Sequence, residues 1–207
     1  MKKSGFTLVE VLLSLAIIGV IAAVAASSLV SLRPDRYKMR VIKCKNILER
    51  VNEELLENPS IYSLANGCDG LGCTDAPDDP DFDDLSGNSK YINLLARHLD
   101  TQGTYAKGGS VLSDRGGFTT RDGIYWIVSA QSSGLNYKVT LNVDIPNGHV
   151  CSFNSTSCTK PTVYDLRVNS NGSVEGIDAM SKAYFENPNK FNDRKADLAR
   201  AKAIEAE

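Results

Sequence analysis

The sequence predicts an α+β chain: a long N-terminal helix, apolar in its first half and amphipathic in its second, packed against an antiparallel β-meander of three to four strands. Three observations carry this. Residues 11–30 hold no charged side chain. Tyr37, Val41, Cys44, Leu48, Val51 and Leu55 then follow one another at steps of 4, 3, 4, 3 and 4, the spacing of one helix face. Beyond residue 123 the period shortens to two: Tyr137, Val139, Leu141, Val143 and Ile145 alternate with polar residues.

The elements follow in order. The apolar block of 20 residues is about 30 Å long as a helix, the thickness of one bilayer core. It is broken only by Ser14, Gly19, Ser27 and Ser28. Pro34 marks a kink or a fresh start, with Asp35 in the next first turn. The amphipathic helix should stop near Asn58-Pro59, because the residue before a proline disfavours helix. Residues 59–122 read as a loop-rich region with one short helix at 89–99, presenting Tyr91, Leu94, Leu95 and Leu99 on one side. Residues 123–178 read as the sheet. Strands are expected at 124–130, 137–145 and 163–168, with a short fourth at 174–177. The first two should form a hairpin through Ser133-Gly134. Residues 179–207 read as a polar tail of helical composition, either frayed or ordered only in an assembly; a helix this short is marginal in water by itself.

A length of 207 residues suits one domain with an anchor or tail, and 42% hydrophobic with 23% charged residues suits a folded chain. The net charge is -2, and no basic cluster stands out beyond residues 33–45, so nucleic acid is not an expected partner. Four of the five cysteines form two close pairs in turn-rich segments, Cys68 with Cys73 and Cys151 with Cys158. Behind an export signal they read as disulfide candidates in an oxidising compartment, with connectivity open. Cys44, inside the helical stripe, reads as a buried free thiol.

Chemistry-bearing residues stand at the start of the chain. Lys2 and Lys3 precede the apolar block and should stay cytoplasmic. A plain signal peptide, cut near Ala23-Val24-Ala25, or a simple signal anchor would explain the block. Neither explains Glu10, a carboxylate that is costly beside lipid and usually marks a function.

The run Gly5-Phe6-Thr7-Leu8-Val9-Glu10, basic before and apolar after, resembles the prepilin-type cleavage and methylation motif of type IV pilins and type II secretion pseudopilins. The resemblance covers about the first 30 residues. It implies residues 1–5 as a leader peptide, cleavage between Gly5 and Phe6, N-methylation of Phe6, and 6–32 as the transmembrane and assembly helix. Residues 33–58 would then continue as the amphipathic helix of a pilin-like fold. It makes Glu10 the acidic position that pairs with a neighbour's amino terminus during assembly, so that neither charge stays unpaired in a low-dielectric core. The implied partners are a prepilin peptidase/methyltransferase, other pilin or pseudopilin subunits, an assembly platform in the inner membrane, and membrane lipid. The implied location is the bacterial cytoplasmic membrane, single pass with the globular domain outside, and then a periplasmic or surface filament. Many major pilins carry a proline halfway along this helix. Here the first proline is Pro34, which leaves minor pilin or pseudopilin open.

No catalytic residue is assigned and no cofactor is expected. There is no phosphate loop and no nucleophile elbow. His98 and His149 lack a metal-ligand pattern; His149 with Cys151 could be imagined as part of a zinc site, but disulfide closure is the reading adopted. The acidic stretch around Asp78, Asp79, Asp81 and Asp83 supplies weak calcium candidates, without the spacing of a known calcium loop, and reads first as a solvated loop. The function expected is a structural subunit of a type IV pilus or secretion-type pseudopilus. The contrasting class is a membrane-anchored or secreted binding domain that does not polymerise. Glu10 separates them, being useful in a polymer and a liability in a lone anchor.

Overall fold

The computed structural model describes residues 8–31, 35–62, 70–76, 81, 85–99, 101–102, 115–131, 136–144, 150–155, 157–188 and 194–205. The chain divides into two units, Met1–Pro34 and Asp35–Glu207. The first contains α1, Leu8–Ser31, 24 residues with Glu10 in the first turn.

The second unit begins with α2, Arg36–Glu57. Asp35 is its N-cap rather than a first-turn residue: its carboxylate accepts a hydrogen bond from the Tyr37 N–H at 2.8 Å, satisfying one of the orphan donors of the helix start. Asn58 caps the other end with extended backbone, which its place before Pro59 favours. The stripe expected from the sequence is the buried face: Val41, Cys44, Leu48 and Leu55 are fully enclosed, and Tyr37 and Val51 nearly so.

The sheet is antiparallel and its strands lie in chain order. A two-residue edge, β1 (Thr101–Gln102), precedes five longer strands: β2 (Arg115–Thr120), β3 (Tyr125–Ala130), β4 (Asn136–Asn142), β5 (Val163–Asn169) and β6 (Val174–Gly176). Register places the inward residues in rows across the strands. Phe118, Trp126, Leu141 and Tyr164 form one row, and Gly116, Val128, Val139 and Leu166 the next. The large side chains of these rows and the α2 stripe belong to one buried cluster, so helix and sheet share a core.

The meander is longer than the three to four strands expected. β1 and β2 lie in residues 100–122, where the hydrophobic pattern by itself indicates loop. The run Arg115-Gly116-Gly117-Phe118-Thr119-Thr120 carries a single large apolar side chain, so its alternation is invisible to hydrophobicity. Its second glycine has a packing reason instead. A Cβ on Gly117 would stand 2.4 Å from the Tyr125 hydroxyl, so the glycine makes room for that ring on the outer face.

α3 (Lys90–His98) follows a 3-10 turn, Gly87–Ser89, and buries Tyr91, Ile92, Leu94 and Leu95. Tyr91 packs at 4.4 Å on Tyr137 and donates to Asn52, whose amide donates to the Gly172 carbonyl; a buried polar chain thus ties α2, α3 and the β5–β6 turn together. The C-terminal region corrects the picture of a frayed or assembly-only tail. α4 (Ala179–Glu186) is capped by Asp178, and α5 (Arg194–Glu205) buries Asp197, Leu198 and Ala201, the last two in the shared core. Leu198 and Ala201 are its enclosed apolar residues, and Lys202 lies 5.8 Å over the Phe153 ring.

Candidate processing and assembly site

Gly5 and Phe6 lie outside the described residues. Glu10 stands in the first turn of α1, where the positive end of the helix dipole favours a carboxylate. It is the only charged residue of the helix. Ser14 Oγ donates to the Glu10 carbonyl at 2.7 Å, so this hydroxyl is satisfied within the helix and asks nothing of a polar solvent.

Side chains of α1 are described over residues 8–22, and all of them are exposed. Exposure runs from Leu8 at 78% to Val11 at 46%, through Leu12, Leu15, Ile18 and Val20 on every side of the helix. Such a helix is apolar all round, with no polar face for water. Among the described residues no helix is long and apolar enough to cross a membrane. Those of α1 with described side chains extend about 22 Å, against the ~30 Å of a hydrocarbon core.

The other candidates named from the sequence are scattered. Cys151 and Cys158 are joined by a disulfide, which removes both thiols from any zinc site with His149. His149 itself is outside the described residues. Cys73 is disulfide-bonded, and Cys68 is outside the described residues. Of the weak calcium candidates, Asp78, Asp79 and Asp83 are outside them; Asp81 is exposed and its backbone carbonyl accepts from Arg97 at 3.1 Å. Among the described residues no group of His, Cys, Asp or Glu is arranged to hold a metal ion. His98 Nδ1 lies 2.8 Å from the Leu94 carbonyl one turn back. Cys44 is a buried free thiol; burial pushes its pKa up to about 12, which leaves it inert at neutral pH.

Lys90 gave no signal in the sequence. It is almost fully buried, donating to the carbonyls of Ile61 and Asp75 at 2.7 Å each, with its ammonium 4.2 Å from the centre of the Tyr62 ring. It ties the connection between α2 and α3 to the core. A lysine opening a short amphipathic helix reads as surface until the chain folds over it.

The class of protein follows from α1. An apolar helix with no buried face among its described residues, headed by one carboxylate, suits a chain held through its N-terminus by something outside it. Residues 1–26 match the prokaryotic N-terminal methylation motif, the prepilin-type motif of type IV pilins and pseudopilins. The motif makes the chain a prepilin-type substrate, and it implies processing by a prepilin peptidase, membrane anchoring and then assembly with other pilin subunits. Proteins that carry it are structural subunits. No curated protein and no solved structure matches the chain.

Proposed function

We propose that the chain is a prepilin that spans the cytoplasmic membrane through residues 11–30, loses residues 1–5, is methylated at Phe6, and polymerises through its N-terminal helix into a type IV pilus or a type II secretion-type pseudopilus. The observation that carries this reading is α1 itself: every described side chain is exposed and all but Glu10 and Ser14 are apolar or glycine, directly after the processing motif. Lipid covers such a surface before assembly, and other copies cover it afterwards. Removing Lys2 and Lys3 releases the charges that hold the helix end at the cytoplasmic face. The new amino group of Phe6 then sits beside apolar surface, where the Glu10 of a neighbour neutralises it.

The test is the intact mass and N-terminal sequence of the protein recovered from cells that contain the processing peptidase. A chain beginning at methylated Phe6 is expected. A start near Ala26 would mean a secreted domain, and an uncut Met1 would mean a static anchor; either result would overturn the proposal.

A further inference from the structure

The two edges of the sheet are bordered differently. β1 forms one edge and is two residues long. β6 forms the other, and α4 packs on its inner face so closely that a Cβ on Gly176 would stand 2.4 Å from the Lys182 backbone nitrogen. A groove of about 300 Å³ lies between strand and helix, lined by Val174, Glu175, Gly176, Lys182, Phe185 and Glu186. Successive residues of a strand point to opposite faces. A groove that touches all three residues of β6 therefore follows its free edge rather than either face.

The hydrogen-bond ladder leaves that edge unmade. In an antiparallel pair, bonded and non-bonded residue pairs alternate. The Ser173 carbonyl accepts from the Asn169 N–H at 3.0 Å, and the Ile177 N–H donates to the Asp165 carbonyl at 2.8 Å. Between them Glu175, opposite Arg167, is the bonded residue. The N–H and C=O groups of Val174 and Gly176 therefore point away from β5, along the free edge. Among the described residues no hydrogen bond outside the ladder reaches them. Val174 is 5% exposed, so an unmade bond there costs more than on an open edge. A short edge by itself discourages pairing. Here α4 adds a wall beside it, with the part-buried Phe185 and the exposed Lys182.

We infer that this groove is a docking site for an extended peptide segment of a partner protein, which joins the sheet beside β6. An extended backbone offers donors and acceptors at the two-residue spacing of Val174 and Gly176. Residues of the segment opposite these two turn their side chains to the α4 side, where Phe185 receives apolar groups. The residue between them lies beside Glu175, which is exposed on the outer face. The Glu175 carboxylate accepts from the Asn169 amide at 2.9 Å and keeps its second oxygen for a cation. Glu186 adds another exposed carboxylate to the lining, against Lys182 as its cation. The segment that fits alternates apolar, basic, apolar. Main-chain bonds give it affinity, and the alternate side chains give selectivity. The site belongs to the folded unit and stands whether or not α1 assembles.

The experiment is amide hydrogen exchange of the full-length chain in detergent micelles, titrated with the peptide acetyl-Thr-Val-Lys-Val-Thr-amide. Saturating peptide should slow exchange at Val174 and Gly176 about tenfold or more, the equivalent of one hydrogen bond each. Glu175, whose N–H is already bonded to β5, should be unchanged. The same peptide N-methylated at both valines keeps its side chains but cannot join the ladder, and it should slow neither amide. Glu175→Lys, a change at an exposed position, should weaken binding of the unmethylated peptide about fivefold. No slowing at about 5 mM peptide would overturn the inference. So would equal slowing of all three amides, or equal action of the methylated peptide, since either would mean a contact without strand pairing. An unchanged affinity of the Glu175→Lys chain would remove the basic residue from the partner's chemistry. Slowing that rises with protein concentration in the absence of peptide would show that a second copy of the chain fills the groove, and would overturn the partner named.

Discussion

α1 and α2 are nearly equal in length, 24 and 22 residues, and only four residues separate them in the chain. They solve opposite problems. α2 confines most of its large apolar residues to a stripe, and that stripe is enclosed in the core of its own chain. α1 has no stripe, and over residues 8–22 no side chain is enclosed at all. The same physics, burial of apolar area, acts within the chain for one helix and, on the proposed function, between molecules for the other. A substitution in α2 should change folding, whereas one in α1 should change where the protein goes.

The sharpest break of this comparison is Glu10→Ala. It leaves an even more apolar helix, so membrane insertion should persist while filament yield falls to background, because the amino group of a neighbour is left without its partner in a low-dielectric contact. Fractionation together with filament recovery reads both, and normal assembly of the variant would refute the pairing. Next in size is a matched pair of truncations. Leu48→Ala, in the fully buried stripe, should cost about 2–5 kcal/mol in denaturant unfolding. Leu12→Ala, on exposed α1, should stay within about 0.5 kcal/mol yet reduce assembly. Equal stability losses would erase the distinction between the helices.

The smallest effect concerns pH. Asp178 accepts hydrogen bonds from the Ser181 N–H and hydroxyl and from the Asp165 N–H, and these favour its charged form. Burial outweighs them and raises its carboxyl above the ordinary range. The folded state thus holds this proton more tightly than the unfolded one. The contribution to stability is fully present below the unfolded value of about 4 and is lost as pH rises through the raised folded value. Asp178→Asn should flatten that part of the stability profile, seen as a smaller change in denaturant midpoint from about pH 4 upward. An unchanged slope would mean that the titrating group is elsewhere.

Much of this was legible because it is written in local periodicity. Helical spacing from Tyr37 to Leu55 and alternation from Tyr137 to Val143 each report a buried face directly. The prepilin-type motif is more local still, since a peptidase reads it as a short segment. Proximity and surroundings marked Cys151 and Cys158 as disulfide candidates, but their pairing was left open by the sequence and is supplied by the fold. What escaped depended on partners distant in sequence. β2 hides behind its glycines, and only the Tyr125 ring on the neighbouring strand explains Gly117. α5 looked too polar to pack because its value lies in Leu198 and Ala201 meeting a surface made elsewhere. Lys90 looked like solvent-facing charge until the carbonyls of Ile61 and Asp75 closed around it.

The sequence by itself determined which helix would be striped and which apolar throughout, where the period turns from helix to strand, and where the processing motif stands. Each of these rests on residues within a few positions of one another. Tertiary structure alone decided the width of the sheet, the docking of the last helix and the burial of Lys90. A charge or a glycine carries no record of its neighbours across the fold; its meaning is fixed only when desolvation and close packing choose those neighbours for it.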